Sequence, residues 1–416
     1  MITGSTMTFS ANILPVFEQL GLLDELKKIS FPLKRFYLKD MDMGRLGDFD
    51  FRSYEEKTGY NMTLFARPEL HQMLLEKIPK DKLLMKKKVM SFVQNENGVH
   101  LRCADGTTYE GDILIGADGA YSSVRRSMYE HLEKENMLPK GDRDGLECGH
   151  LCMVGVTKVL DPEKYPALKS DISQFERIMA PGTTHSWATS TVPNNRVCWL
   201  LMDQLDAERS KAAMFKNSEW GPESHAEMLQ EYSKYPSPIG GTMSDVFDAT
   251  PSDMISKVFL ECKLFETWHY GRTALLGDAC HKFLPSGGQG AVNAMEDAVV
   301  LANIIYELPS LSQNRIEAAL KDYREQRYHH VKPQMDKSKF MGKIAFGQTL
   351  SDRIARHIAF NWVPKSVQTA KLMADVAYRP QCNFLPRAEN RGTVQVLPQK
   401  PSKRYQAELA KRENTK

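Results

Sequence analysis

The residues best placed for chemistry lie in one string, GDACHKFLPSGGQGAVNAMEDA, from Gly277 to Ala298. It opens with a carboxylate, Asp278, at the end of a short apolar run, Thr273 to Leu276. A loop closed by Pro285 follows, then Gly287-Gly288-Gln289-Gly290 at the start of a helical pattern. Glycines at that place let backbone N–H groups approach a ligand closely. The helix N-terminus adds about half a positive charge, so the pattern suits an anionic ligand group. A strand-end carboxylate can accept hydrogen bonds from sugar hydroxyls. The plainer reading is a capped turn, with Asp278 as a local cap and the glycines as a tight corner. The number of fixed positions in the string weighs against it. A second string, Asp112-Ile113-Leu114-Ile115-Gly116, is a continuous apolar run ending in Ala117-Asp118-Gly119. Such a run predicts a strand buried on both faces of a parallel sheet. Arg67-Pro68-Glu69-Leu70 opens a helix, with Pro68 at a favoured first position. The charge of Arg67 opposes the dipole at that helix head, which points to an anionic partner.

Together these strings resemble the class A FAD-dependent monooxygenases, a family of aromatic hydroxylases and fungal-type epoxidases. Gly277-Asp278-Ala279, His281, Pro285, Gly288-Gln289-Gly290 and Glu296-Asp297-Ala298 look like its flavin-binding signature. Asp112 to Gly119, followed by Ser122-Ser123-Val124-Arg125, is similar to its Asp-Gly motif, which serves flavin and nicotinamide binding. The resemblance covers residues 1 to about 350 in order. It implies that Gly4, Arg67, Asp118, Gly119, Asp278, Gly288, Gln289, Gly290 and Ala291 bind FAD, with Pro285 as a wall beside the ring. Arg67 would reach the phosphate and ribityl region, Gly4 would lie along the flavin, and the Ala291 backbone would stand near the ring. No catalytic side chain is implied, because the flavin does the oxygen chemistry. NAD(P)H reduces it, and one atom of O2 passes to the substrate.

The implied fold is α/β: a Rossmann-like FAD-binding domain with an inserted mixed β-sheet that covers the substrate. The boundaries read as 1–145 and 266–350 for the two parts of the FAD domain, 146–265 for the insert, and 351–416 for a C-terminal helix and basic tail. The implied function is hydroxylation or epoxidation of an apolar organic substrate in secondary metabolism. Asn12 to Pro15 and Ala291 to Met295 resemble fungal members acting on terpenoid or polyketide-like substrates. Two other readings are a flavin oxidase or dehydrogenase on the same scaffold, and a non-catalytic remnant. The remnant reading rests on a departure from the family, which opens with a strand, a Gly-x-Gly-x-x-Gly turn and a helix. Before Asp40 this sequence has only Gly4 and Gly21, so the N-terminal segment is expected to be missing, with poor FAD binding and poor folding of the chain as written. A smaller departure is Val292 where many members carry Asn; Asn293 follows it and is assigned no role.

The elements that must position these residues are legible in part. Ile13, Leu14, Phe17, Leu20 and Leu23 fall at helical spacing, which predicts one or two helices over Thr8 to Ile29 with a break at Gly21. Strand and turn material fills Phe31 to Tyr60. Asn97-Gly98 and Asp105-Gly106 predict the turns of a meander between Met85 and Glu110. From about Leu146 to Phe265 the chain is β-rich, with a helix near Glu223 to Tyr235. Helices are expected from Gly290 to Tyr306 and from Arg315 to Phe346.

Composition fits a globular intracellular protein. Apolar residues make up 42% and charged residues 26%, which excludes disordered and collagenous classes. A net charge of +3 argues against a dedicated nucleic-acid binder. Seven cysteines without CxxC pairs predict reduced thiols and a cytoplasmic location. No apolar run reaches the ~18 residues of a membrane span, and no signal peptide is visible. Cys148-Gly-His150-Leu-Cys152 lacks a second ligand pair, so a strand is predicted there and no metal site. His281 is expected to brace its loop through a hydrogen bond. His329 and His330, among Arg324, Arg327 and Lys332, are expected on a solvated helix face. Residues 353–362 form a short basic amphipathic stretch, open to peripheral membrane contact or to docking on the protein itself. The tail from Arg379 to Lys416 carries nine Lys/Arg against three Glu and is expected to be disordered.

Overall fold

The computed structural model describes residues 4–180, 182–206, 208, 210, 225–347 and 349–414. The N-terminal segment begins with a strand, β1 (Thr6–Phe9), where a helix was expected from Thr8. The helical spacing takes over at α1 (Leu14–Gln19) and a second short helix, Leu23–Lys28, divided at Gly21 with φ +69°. After β2 (Ser30–Pro32), β3 (Arg35–Lys39) and β4 (Arg45–Asp50), strand β5 (Thr63–Ala66) runs between β1 and β2 in an antiparallel sheet. All four residues of β5 are buried, and it leads straight into α2 (Arg67–Leu75). The sheet therefore fixes where Arg67 emerges: its backbone N–H donates to the Ser5 carbonyl at 2.8 Å.

The meander forms as its turn signals predict, from β6 (Val89–Gln94), β7 (Val99–Cys103) and β8 (Thr108–Gly111). Strand β9 (Leu114–Gly116) follows. The β-rich stretch supplies β10 (Glu147–Val156), β11 (Phe175–Met179), β12 (His185–Val192), β13 (Arg196–Gln204) and β14 (Ser256–Leu264). Next come β15 (His269–Tyr270), β16 (Thr273–Leu275) and β17 (His281–Lys282). Eight strands make the large sheet, in the order β17-β14-β10-β13-β12-β11-β3-β4. It draws β3 and β4 from the first part of the chain, with β3 and β11 parallel. The helix near Tyr235 forms over Ala226–Tyr232; the expected start at Glu223 lies outside the described residues.

Strands β9 and β16 pair in parallel, Gly116 opposite Leu275. The apolar run around β9 is not the doubly covered strand it suggests. Ile115 is 42% exposed, and among the described residues β9 has one strand neighbour. Its covered face packs on α3 (Ser123–Lys134), where Val124 and Met128 join Leu275 in a core cluster. A Cβ on Gly116 would lie 2.8 Å from Val124 Cγ1, so glycine sets the close strand–helix approach.

The chain closes with α4 (Gly290–Tyr306), α5 (Gln313–Phe346), α6 (Leu350–Asn361) and α7 (Lys365–Asp375). The tail is not disordered. Arg379 to Cys382 are buried, Arg379 donates to the Thr58 carbonyl at 2.9 Å, and Gln19 binds the carbonyls of Cys382 and Pro386. A last helix, Lys403–Glu413, is held by Ser402 on Glu307. Composition misjudged this stretch because a few buried polar anchors, not a broad apolar surface, hold it down. Among the described residues no helix is long and apolar enough to cross a membrane.

Candidate functional site

The glycine-rich string forms the corner that its sequence suggests. A short 3-10 turn, Pro285–Gly287, ends at Gly288 with φ +63°, and α4 starts at Gly290 with Gln289 as its N-cap. Gly288 is set by contact as well as by conformation, since a Cβ there would lie 2.9 Å from Thr8 Oγ1 on β1. At the other end of β1, a Cβ on Gly4 would lie 2.8 Å from Arg67 Cδ. Strand β1 thus links the head of α2 to the start of α4 over a span of roughly 13 Å. Between them Thr6 Oγ1 is buried without a hydrogen-bond partner. A short run of small residues with an orphaned hydroxyl, an arginine at one end and a helix N-terminus at the other suits an elongated anionic ligand. Ala291 packs beside this run, against the cluster that contains Phe9 and Phe65.

The remaining predicted residues gather at the strand ends. Gly119 (φ +83°) and Asp118 follow β9, and Asp278 follows β16, so the parallel pairing brings them to the same sheet edge. Asp118 is engaged as a helix cap: the Ser123 and Val124 N–H groups donate to it at 2.7 and 3.2 Å, and Ser122 Oγ adds a third bond. Asp278 pairs with Lys282 and is about one-third exposed. Arg125 ties the two ends together, donating to the carbonyls of Ala279 at 2.8 Å and Ala120 at 2.6 Å.

Beneath the corner lies an ion cluster that the sequence reading missed. Arg327 on α5 is fully buried, not solvated. Its Nε donates to Asp297 Oδ1 at 2.7 Å, its Nη1 pairs with Glu296 Oε2 at 2.9 Å, and its Nη2 donates to Asn293 Oδ1 at 2.9 Å. Asp297 also accepts from the Gly277 N–H at 3.0 Å and meets His281 Nε2 at 2.6 Å. His281 therefore braces the turn, as expected, and α5 clamps both ends of the glycine-rich string. Burial would raise the Asp297 carboxyl, but His281 and Arg327 outweigh it and hold it below the usual range. Burial pushes Glu296 up to about 7 against the pull of Arg327. His330 is stacked on Tyr378, ring centroids 3.8 Å apart; burial, then the Arg327 charge, lower it to about 3. The ligand atoms of Cys280, His281 and Asp297 lie within 4.8 Å of one another. Asp297 already carries a guanidinium, so the trio works as part of this ion cluster. The signal for Arg327 was its spacing to Tyr323 and Val331 on α5, all three with no exposure.

One face of the large sheet covers the corner. Cys152, Val154, Leu200, Met202, Val258 and Leu260 pack together with Leu284, the residue before Pro285. Strand register puts two polar groups on that face, His150 and Arg177. Burial lowers Arg177 to about 10 and, helped by the Arg177 charge, His150 to about 4.

Comparisons with known proteins find similar chains and folds. Residues 238–338 match the family model described as FAD binding domain. The FAD-dependent monooxygenase ausM of Penicillium brasilianum is 27% identical over 340 residues, covering 79% of this chain and 68% of the relative. The FAD-dependent monooxygenase ptmM of Penicillium ochrochloron is 29% identical over 353 residues, covering 80% and 78%. Among solved structures, Klebsiella pneumoniae HpxO complexed with FAD and uric acid has a TM-score of 0.71 at 22% identity, covering 91% of this chain and 88% of that one. A salicylate hydroxylase substrate complex has a TM-score of 0.61 at 20% identity, covering 90% of each chain. The chain is a relative of the FAD-dependent monooxygenases and has the fold of the class A flavin hydroxylases.

Proposed function

We propose that this enzyme is an FAD-dependent monooxygenase that inserts one oxygen atom of O2 into an apolar organic substrate, by hydroxylation or epoxidation, with NAD(P)H as the reductant. The observation that carries the reading is the run from Arg67 and Gly4 along β1 to the Gly288–Gly290 helix start. When bound, FAD supplies the redox and oxygen chemistry. Arg67 would hold its anionic part, and the backbone of Gly288 to Ala291 would hold the ring, with Pro285 beside it. The free N–H groups at the start of α4 favour negative charge there. Asp278 would accept from hydroxyls between these ends, with Asp118 and Gly119 lining the adjacent strand end. The apolar sheet face over Leu284 excludes water and selects an apolar substrate, while Arg177 and His150 offer it a polar contact. All seven cysteines are unpaired, which supports an intracellular location.

The test uses purified protein with FAD, NADPH and labelled O2, offered a panel of terpenoid and aromatic compounds. A substrate that speeds NADPH oxidation should yield product carrying one labelled oxygen. Stoichiometric H2O2 with unlabelled product across the panel would favour the oxidase reading instead.

A further inference from the structure

Helix α6 buries a charged side chain and exposes an apolar row. Arg356 faces inward, buried, donating from Nη1 to the carbonyls of Ile344 and Gly347, both at 3.0 Å. One turn on, Phe360 also faces inward, edge-on to Phe49 with ring centroids 5.1 Å apart. A Cβ on Gly47 would lie 2.3 Å from the Phe360 ring, so glycine makes the socket for it. The opposite side of the helix carries Leu350, Ile354, Ile358 and, just past its end, Trp362, at 71, 52, 43 and 73% exposure. Steps of four residues put these side chains on one face over roughly 18 Å. An exposed row of this kind asks for an apolar neighbour.

Charge says what that neighbour is. The exposed cations from the end of α5 to α7 are Lys343, Arg353 and Lys371, together with Lys365, which is paired with Asp48 at 3.3 Å. Of the acids on α6 and α7, Asp375 is paired with Lys337, while Asp352 caps its helix through Thr349 and keeps its charge, so Lys343, Arg353 and Lys371 leave the surface net positive. Arg353 and His357 flank the apolar row on the helix surface. A single apolar row edged by cations and ending in tryptophan has the dimensions of an interfacial helix. It is too narrow for the ~800 Å² per partner of a stable protein interface.

We propose that α6 rests on an anionic membrane surface, with Leu350, Ile354, Ile358 and Trp362 at the headgroup–acyl boundary and Arg353 and Lys371 against acidic headgroups. The rest of the molecule stays in water, held to α6 by Arg356 and Phe360. The assignment stands on this face alone and does not depend on the flavin chemistry.

The test is co-sedimentation of the full chain with vesicles of phosphatidylcholine alone and with roughly one-third phosphatidylserine. The protein should pellet with the phosphatidylserine vesicles and be released by salt. The double variant Ile354→Glu/Ile358→Glu should lose at least about tenfold in binding, and Arg353→Glu should weaken it less. Trp187, Trp199 and Trp268 are buried, and a blue shift on vesicle binding that disappears in Trp362→Phe reports the row itself and not Trp220, the fifth tryptophan. Because all these residues are exposed, thermal unfolding of the variants should match the parent. Failure to bind phosphatidylserine vesicles, or binding that Ile354→Glu/Ile358→Glu leaves intact, overturns the proposal. So does a concentration-dependent dimer, seen by light scattering, that the same double variant abolishes.

Discussion

Replacing Arg327 with methionine isolates the contribution of the buried ion cluster. The side chain has no exposure and makes contacts to Asp297, Glu296 and Asn293 at 2.7 to 2.9 Å. Methionine fills much of the volume but leaves two carboxylates in a dry interior. Asp297 retains His281 and the Gly277 N–H, whereas Glu296 is left beside His330, 3.6 Å away, which is uncharged at neutral pH. Breaking a buried pair by removing one partner costs about 3–5 kcal/mol. The cost should depend on pH. Glu296 sits at about 7 in the parent, already above its value in the unfolded chain. A raised carboxyl favours the folded state at low pH, and that contribution is lost as pH rises through 7. Without Arg327 the carboxyl rises further and takes up a proton at neutral pH. The deficit of Arg327→Met should therefore narrow as pH falls from about 8 to about 6. Urea unfolding followed by tryptophan emission measures it, since Trp268 lies 5.1 Å from His281 by ring centroids. Glu296→Gln, which removes a charge that is half absent at pH 7, should cost no more than about 1 kcal/mol. Because Asp297 holds Gly277, Arg327→Met should also retain less FAD. A loss under about 1 kcal/mol for Arg327→Met, or an equal loss for Glu296→Gln, would refute this account of the clamp.

Three further outcomes follow from the same geometry. Gly288→Ala combines a left-handed φ with a Cβ 2.9 Å from Thr8 Oγ1, so it should cost about 1–2 kcal/mol and most FAD retention, whereas Gly106→Ala, at φ +82° with open space around it, should cost strain only, as unfolding and flavin absorbance would show. Asp278→Ala should weaken FAD about ten- to a hundredfold while Lys282→Met leaves it nearly unchanged; equal losses in a fluorescence titration would mean that the pair acts only as a structural bridge. His150 and His330 are held at about 4 and about 3, below their unfolded values, so their stabilisation is present above pH ~6.5 and is lost as pH falls, by about 3 kcal/mol each at pH 4; His150→Gln should flatten the fall of the urea midpoint between pH 6.5 and 4.

The motif-bearing parts of the fold were legible because they obey local rules. Asn97-Gly98 turns a hairpin, Pro68 starts a helix, and the glycines before α4 form a corner with a left-handed φ. Arg327 was read as solvated because its neighbours on α5 are charged. Its burial depends on α4 packing against that face, a tertiary fact with no local trace. Strand β9 looked doubly covered because three apolar residues in a row do not reveal how many neighbours a strand has. The tail looked disordered because its composition hides anchors such as Arg379 and Gln381, each with one partner more than seventy residues away. The contact between Gly288 and Thr8 joins positions 280 residues apart, and only folding brings them together.

The central claim is that FAD lies along β1, with its anionic part at Arg67 and its ring at the start of α4. Equilibrium titration of FAD into the full chain and into Arg67→Ala, paired with unfolding of both in the absence of flavin, tests it most directly. Binding by the parent, weakened about tenfold or more in Arg67→Ala with little change in flavin-free stability, is the predicted result. A parent chain that does not bind FAD, the outcome the remnant reading expects, or an Arg67→Ala chain that binds it as tightly as the parent, would contradict the claim.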